Sequence, residues 1–129
     1  MKRVFLSYAY EDMQQVRGLK LLLANPNFDL DFYDESLDVA IDSKDADYIR
    51  RVIGEKISRA SVTVCLIGKD TYKSRWVDWE LEKSDGEGNK IITMALKGID
   101  SAVLPSLIKE KKLTFHPWDP KKLGDLIGE

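Results

Sequence analysis

The chain predicts an α/β fold: a doubly wound sheet of five parallel strands in a single domain spanning residues 1–129. Three observations predict it. Short apolar runs alternate with stretches whose apolar residues recur every three or four positions, the signatures of strands and of amphipathic helices. The run Val62-Thr63-Val64-Cys65-Leu66-Ile67 is apolar without alternation, as in a parallel strand covered by helices on both faces. A length of 129 residues, with 43% hydrophobic and 33% charged residues, suits one globular core. Units of β-α joined by right-handed crossovers then give the flavodoxin-like order 2-1-3-4-5.

Taken in order, Val4-Phe5-Leu6 is the first strand, Ser7 to Asp12 turns polar, and Met13, Val16, Leu19, Leu22 and Leu23 mark a helix. Asn25-Pro26-Asn27 ends that helix, because proline lacks an N–H and disfavours helical backbone in the residue before it. Leu30 to Tyr33 is the second strand. Asp34 to Asp47 is an acidic loop, long for a compact α/β domain and therefore a place for function. Ala46, Ile49, Ile53, Ile57 and Ala60 lay one apolar stripe on the second helix, which Asp45 or Asp47 is placed to cap.

Val62 to Ile67 is the central strand. Ser74 then N-caps a helix that carries Trp76, Asp78, Trp79, Glu80 and Glu82, with Trp76 expected to anchor it in the core. A turn at Asp85 to Asn89 leads to a fourth strand, Ile91 to Ala95, and a short helix near Pro105 to Lys109. A fifth strand, Leu113 to Phe115, and a last helix, Pro120 to Ile127, complete the pattern.

Composition bounds the function. The formal charge of −2 argues against a sequence-independent nucleic-acid binder, which needs excess Lys and Arg to neutralise phosphates. No apolar run approaches the roughly 20 residues that span a bilayer, and Met1-Lys2-Arg3 leads directly into a strand without a secretory signal, so a cytoplasmic protein is expected. Cys65 is the only cysteine and falls in the central strand, where a small apolar residue is wanted.

In sheets of this order, ligands bind beyond the carboxyl ends of the strands, where the strand order reverses. Here that edge comprises Ser7 to Asp12, Asp34 to Asp45 and Gly68 to Glu80. Several chemistries lack their residues there. The third strand ends in Ile67-Gly68 and offers no phosphate-accepting aspartate. Ser7 to Asp12 has no glycine with which to cradle a dinucleotide phosphate, and His116 has no second histidine or paired cysteine. Asp34, Ser36, Asp38, Asp42 and Asp45 match the spacing of a calcium loop, but Val39 occupies the sharp-turn position and Asp45 replaces the bidentate glutamate, so no metal is expected.

Phe5-Leu6-Ser7-Tyr8-Ala9-Tyr10-Glu11-Asp12 resembles the first motif of TIR (Toll/interleukin-1 receptor) domains, a strand ending in Ser-Tyr followed by an acid and a helix. Phe32-Tyr33-Asp34 is similar to the family's second strand. Ser74-Arg75-Trp76-Val77-Asp78-Trp79-Glu80 is similar to its Ser-x-Trp-x-x-x-Glu segment. The pattern is that of compact prokaryotic TIR-like domains, including the TIR-like subunits of Thoeris antiphage systems. The resemblance implies cleavage of the nicotinamide–ribose bond of NAD, giving ADP-ribose or a cyclic ADP-ribose-type signal, with Glu80 as the catalytic residue. NAD is then a substrate and no cofactor is needed.

The chemistry agrees with that assignment, since breaking the bond leaves positive charge on the ribose, which a positioned carboxylate stabilises. Ser7, Tyr8, Tyr10, Asp34, Ser36 and Trp79 are the expected substrate-binding residues around it. Expected partners are NAD, further copies of the chain through TIR–TIR contacts, and a separate effector that responds to the product. The alternatives are a non-catalytic TIR–TIR interaction module and a nucleotide-binding sensor. The loop from Asp34 to Asp45 lacks the Arg-Asp-x-x-Pro-Gly sequence of many animal TIR domains, so animal-style receptor signalling is not implied.

Overall fold

Strands β1 (Lys2–Tyr8), β2 (Phe28–Asp31), β3 (Val62–Ile67), β4 (Lys90–Ala95) and β5 (Phe115–His116) lie parallel in the order β2-β1-β3-β4-β5. This is the fold class and strand order that the sequence predicts. The computed structural model describes residues 2–22, 28–33 and 39–129. Among them are helices α1 (Met13–Leu22), α2 (Ala46–Arg59), α3 (Arg75–Gly86), α4 (Ser106–Glu110) and α5 (Pro120–Gly128). Among the described residues no helix is long and apolar enough to cross a membrane.

The two-residue period of a strand divides the core into layers. On one face of the sheet, Val4, Leu6 and Tyr8 of β1 pack with Val16 and Leu19 of α1 and with Leu123 and Ile127 of α5. On the other, Phe5 packs with Ile49, Ile53 and Ile57 of α2, while Cys65 and Ile67 of β3 meet Val77 and Leu81 of α3 and Ile108 of α4. All six residues of β3 are buried, as expected of the central strand. Ser7 shares the face of Phe5, so the sheet directs it toward α3 and directs Tyr8 away from it.

Two edge strands differ from expectation. The second strand runs from Phe28 to Asp31 instead of Leu30 to Tyr33, pairing Lys2 to Phe5 with Phe28 to Asp31. It stops because Asp31 turns its carboxylate back to accept the N–H of Phe32 at 2.9 Å, removing that donor from any ladder, and also binds Lys56 at 2.8 Å. The fifth strand is Phe115–His116 instead of Leu113 to Phe115. Leu113 is committed elsewhere: its N–H caps α4 by donating to Ile108 O, after Lys112 has taken a positive φ of 53°. At the start of α2, Asp45 occupies the N-cap position without a side-chain capping bond, and Asp47 instead pairs with Arg50.

Candidate active site

Helix α3 begins at Ser74, whose hydroxyl accepts the N–H of Val77 at 3.2 Å and so satisfies one of the open donors of the first turn. Trp76 is buried, and its indole N–H donates to Val39 O at 3.0 Å, tying the helix to the segment before α2. A second tie runs through polar atoms. Asn89 Nδ2 donates to Thr63 Oγ1 at 3.3 Å, Thr63 Oγ1 donates to Ser84 Oγ at 2.8 Å, and Ser84 Oγ donates to the carbonyl of Glu80 at 2.8 Å. This chain joins α3 to β3 inside the protein, where unpaired polar groups would be costly, and it fixes both the rotation and the height of the helix.

The side chain so positioned is Glu80. It is 4% exposed, and its Oε1 accepts a hydrogen bond from the Ser7 hydroxyl at 2.7 Å. Burial raises its pKa to about 8, while the Ser7 hydrogen bond acts in the opposite direction by favouring the carboxylate. In register beside Ser7 stands Cys65, whose thiol burial pushes far up with help from the charges of Glu80 and Asp78; it is inert packing. The arrangement is a nearly dry carboxyl, joined to the end of the first strand, whose ionisation is costly until a positive charge meets it.

The Ser7 contact makes a direct prediction. Ser7→Ala removes a hydrogen bond to the charged form of Glu80, so the Glu80 pKa should rise by a further unit or so, about the worth of one charge-assisted hydrogen bond. Titration of the glutamate side-chain carbon by NMR reads this directly, and an unmoved or lowered pKa would show that the hydrogen bond does not govern ionisation.

A second carboxyl was not singled out by sequence reasoning. Asp12 ends a 3-10 turn (Tyr10–Asp12) at the switch between β1 and β3, and its Oδ2 is buried with no hydrogen-bond partner. Burial, then the charges of Glu11 and Asp70, raise its pKa to about 6. Gly68, just past β3, makes room for it: a Cβ there would lie 2.3 Å from Asp12 Oδ2. The residue pair could have been suspected from a glycine closing the central strand opposite an acid in the first loop. Gly68→Ala should therefore destabilise the fold by about 1–3 kcal/mol, the usual cost of overpacking, and Asp12→Ala should restore part of the loss. Urea denaturation of the two single variants and the double variant measures the coupling; additive effects would disprove the contact.

Of the expected substrate-binding residues, Ser7 meets Glu80. Tyr8 does not: it is buried on the α1 side, donates its hydroxyl to Tyr33 O at 3.1 Å and sets its ring edge-on to Phe32. Tyr10 is exposed on the turn after β1. Trp79 stands edge-on to Trp76 and lines a groove of about 420 Å³ between α2 and α3 with Arg50, Arg75 and Asp78; Glu80 does not line it. Asp34 and Ser36 lie outside the described residues.

Residues 5–101 match the family described as Thoeris protein ThsB, TIR-like domain. The chain belongs to this ThsB TIR-like family. A Bacillus cereus (strain MSX-D12) protein named "Putative cyclic ADP-D-ribose synthase ThsB1" is 34% identical over 101 residues, covering 70% of this chain and 50% of that protein. The chain thus spans about half the length of this curated relative. Among solved structures, the TIR domain of the Toll-related receptor TRR-2 from Hydra magnipapillata superposes with a TM-score of 0.63 at 18% identity, covering 96% of this chain and 90% of the other. The CMP N-glycosidase BcmB of Clostridium botulinum superposes with a TM-score of 0.64 at 16% identity, covering 99% and 100%. At these identities the two structures speak to the fold, and the TIR-like architecture is the one observed.

Proposed function

We propose that this ThsB TIR-like chain processes NAD, breaking the nicotinamide–ribose bond to give ADP-ribose or a cyclic ADP-ribose-type product, as part of antiphage defence. The observation that carries the reading is the buried carboxyl of Glu80, bonded to Ser7 at the strand-end edge of the sheet. The Bacillus cereus relative is named "Putative cyclic ADP-D-ribose synthase ThsB1", which supports an ADP-ribose-type product here. NAD enters as a substrate, and the reading draws on no cofactor.

The chemistry suits a single carboxylate. When the C1′–N bond breaks, its electron pair leaves with the pyridinium nitrogen, which becomes neutral nicotinamide. Positive charge passes to the ribose as an oxocarbenium ion, and an anionic Glu80 beside it lowers the energy of that charge. Because the leaving group is already cationic, no strong general acid is required. A bound pyridinium also draws Glu80 into its ionised form, since a nearby positive charge lowers a carboxyl pKa. Water then attacks C1′ to give ADP-ribose and a proton, or an adenine nitrogen attacks to close a ring with loss of a proton.

Incubation of the purified chain with NAD, followed by chromatography and mass spectrometry, tests the proposal. Nicotinamide together with a linear or cyclic ADP-ribose product is the expected result. Intact NAD at high protein concentration, with NAD binding demonstrated by calorimetry, would instead favour a sensor. A product released to act on a separate effector, and assembly with further copies of the chain, complete the proposed setting.

A further inference from the structure

We propose that a second nucleotide site lies across the sheet from Glu80, in a cavity of about 440 Å³ lined by Gln15, Gly18 and Leu19 of α1, Lys97 after β4 and Trp118 after β5. It is separate from the proposed NAD chemistry. Its floor belongs to the layer that holds Leu19 and Tyr8, whereas Glu80 meets Ser7 on the opposite face. Its volume falls within the roughly 300–1,000 Å³ of small-molecule pockets.

Four features select a nucleotide. Gly18 sits inside α1, where glycine weakens a helix relative to alanine, and a Cβ at that position would meet nothing within 4 Å. The space is open, so packing does not require the glycine. Its absent side chain leaves a bare stretch of helix lining the cavity. Trp118 is half-buried: it packs against the core cluster of Leu19 and Leu96 and also lines the cavity, which gives a planar base a ring to stack on. Lys97 is exposed and forms no ion pair among the described residues, so its ammonium is available to a phosphate. The amide of Gln15 can both donate to and accept from a base edge.

AMP is a suitable probe because it carries a base and a phosphate but has no nicotinamide bond to break. Calorimetry and tryptophan fluorescence should show AMP binding to the wild-type chain, with adenosine weaker because it cannot use Lys97. Gly18→Leu fills the cavity with a residue that favours helix, so it should keep or raise the melting temperature while weakening AMP by at least about fivefold, the lower end of a lost base stack. Trp118→Ala should weaken AMP similarly, Gly18→Ala should bind nearly as well as wild type, and Ser7→Ala should leave AMP binding unchanged. Loss of AMP binding in Ser7→Ala with retention in Gly18→Leu would place the nucleotide at the Glu80 edge and overturn the inference. So would absence of AMP binding at millimolar concentration, or a Trp118→Ala variant whose only change is in self-association by sedimentation. Each of these readouts is independent of NAD turnover, so a failure of the proposed reaction and a failure of this site are told apart.

Discussion

Glu80→Gln should lower kcat for nicotinamide release from NAD by about 10²–10³-fold, the size of effect seen when one preorganised electrostatic stabiliser is removed. The substitution isolates charge. Glutamine has nearly the same shape, and its side-chain oxygen can still accept the Ser7 hydroxyl bond that Glu80 Oε1 accepts at 2.7 Å. The ties through Ser84, Thr63 and Trp76 are untouched because they reach the backbone of Glu80 or other parts of α3. What disappears is the negative charge that, in the proposed reaction, faces the ribosyl cation, so kcat should fall far more than KM changes. Chromatographic release of nicotinamide, with a melting curve to confirm folding, makes the measurement. A fall of less than about tenfold in a folded protein that still turns over NAD would remove Glu80 from the chemistry.

The place of Glu80 on α3 was legible because several levels of the sequence agree on it: a capping serine six residues before it, a tryptophan one turn before it, and a central strand preceding the helix. The order of the sheet was legible for a similar reason, since unalternating Val62 to Ile67 admits few positions other than the centre. The edges were less so, because β2 and β5 end where side-chain and capping hydrogen bonds at Asp31 and Leu113 override local strand preference. Tyr8 shows an inference that strand geometry could have corrected. Adjacent residues of a strand point to opposite faces, so a serine directed at α3 sends its neighbour to α1. Trp79 follows the same logic on a helix, where a one-residue step turns a side chain about 100° from Glu80. The hydroxyl of Ser84 donates to the Glu80 carbonyl and receives from Thr63, a connection visible only once β3 and α3 are packed.

The burial of Glu80 should also be measurable as a cost to the fold. Its pKa is raised from 4.5 to about 8 by burial, against the smaller pull of the Ser7 hydrogen bond. Between those pH values the native protein holds a proton that the unfolded chain has released, so unfolding stability must decrease as pH rises. The stability is greatest below about 4.5, declines through the neutral range and levels off above about 8. At about 1.4 kcal/mol per unit, the full decline from Glu80 is on the order of 5 kcal/mol. Asp12, raised from 3.8 to about 6, adds a smaller decline of the same sign that ends earlier. Other carboxylates change stability in the acid range, so the clean comparison is between wild type and Glu80→Gln from about pH 7 to 9, above the Asp12 pKa of about 6. Urea denaturation should give a stability that falls with pH in the wild-type chain and is nearly flat in the variant, with the two curves diverging in the variant's favour as pH rises. Parallel curves would mean that Glu80 ionises as readily in the folded protein as in the unfolded one. A carboxyl that costs the fold this much when charged is stabilised in its charged form by a cationic ligand. The divergence should therefore shrink when a cationic nicotinamide riboside analogue that resists cleavage is bound, because binding to the ionised native state restores the stability that ionisation removed.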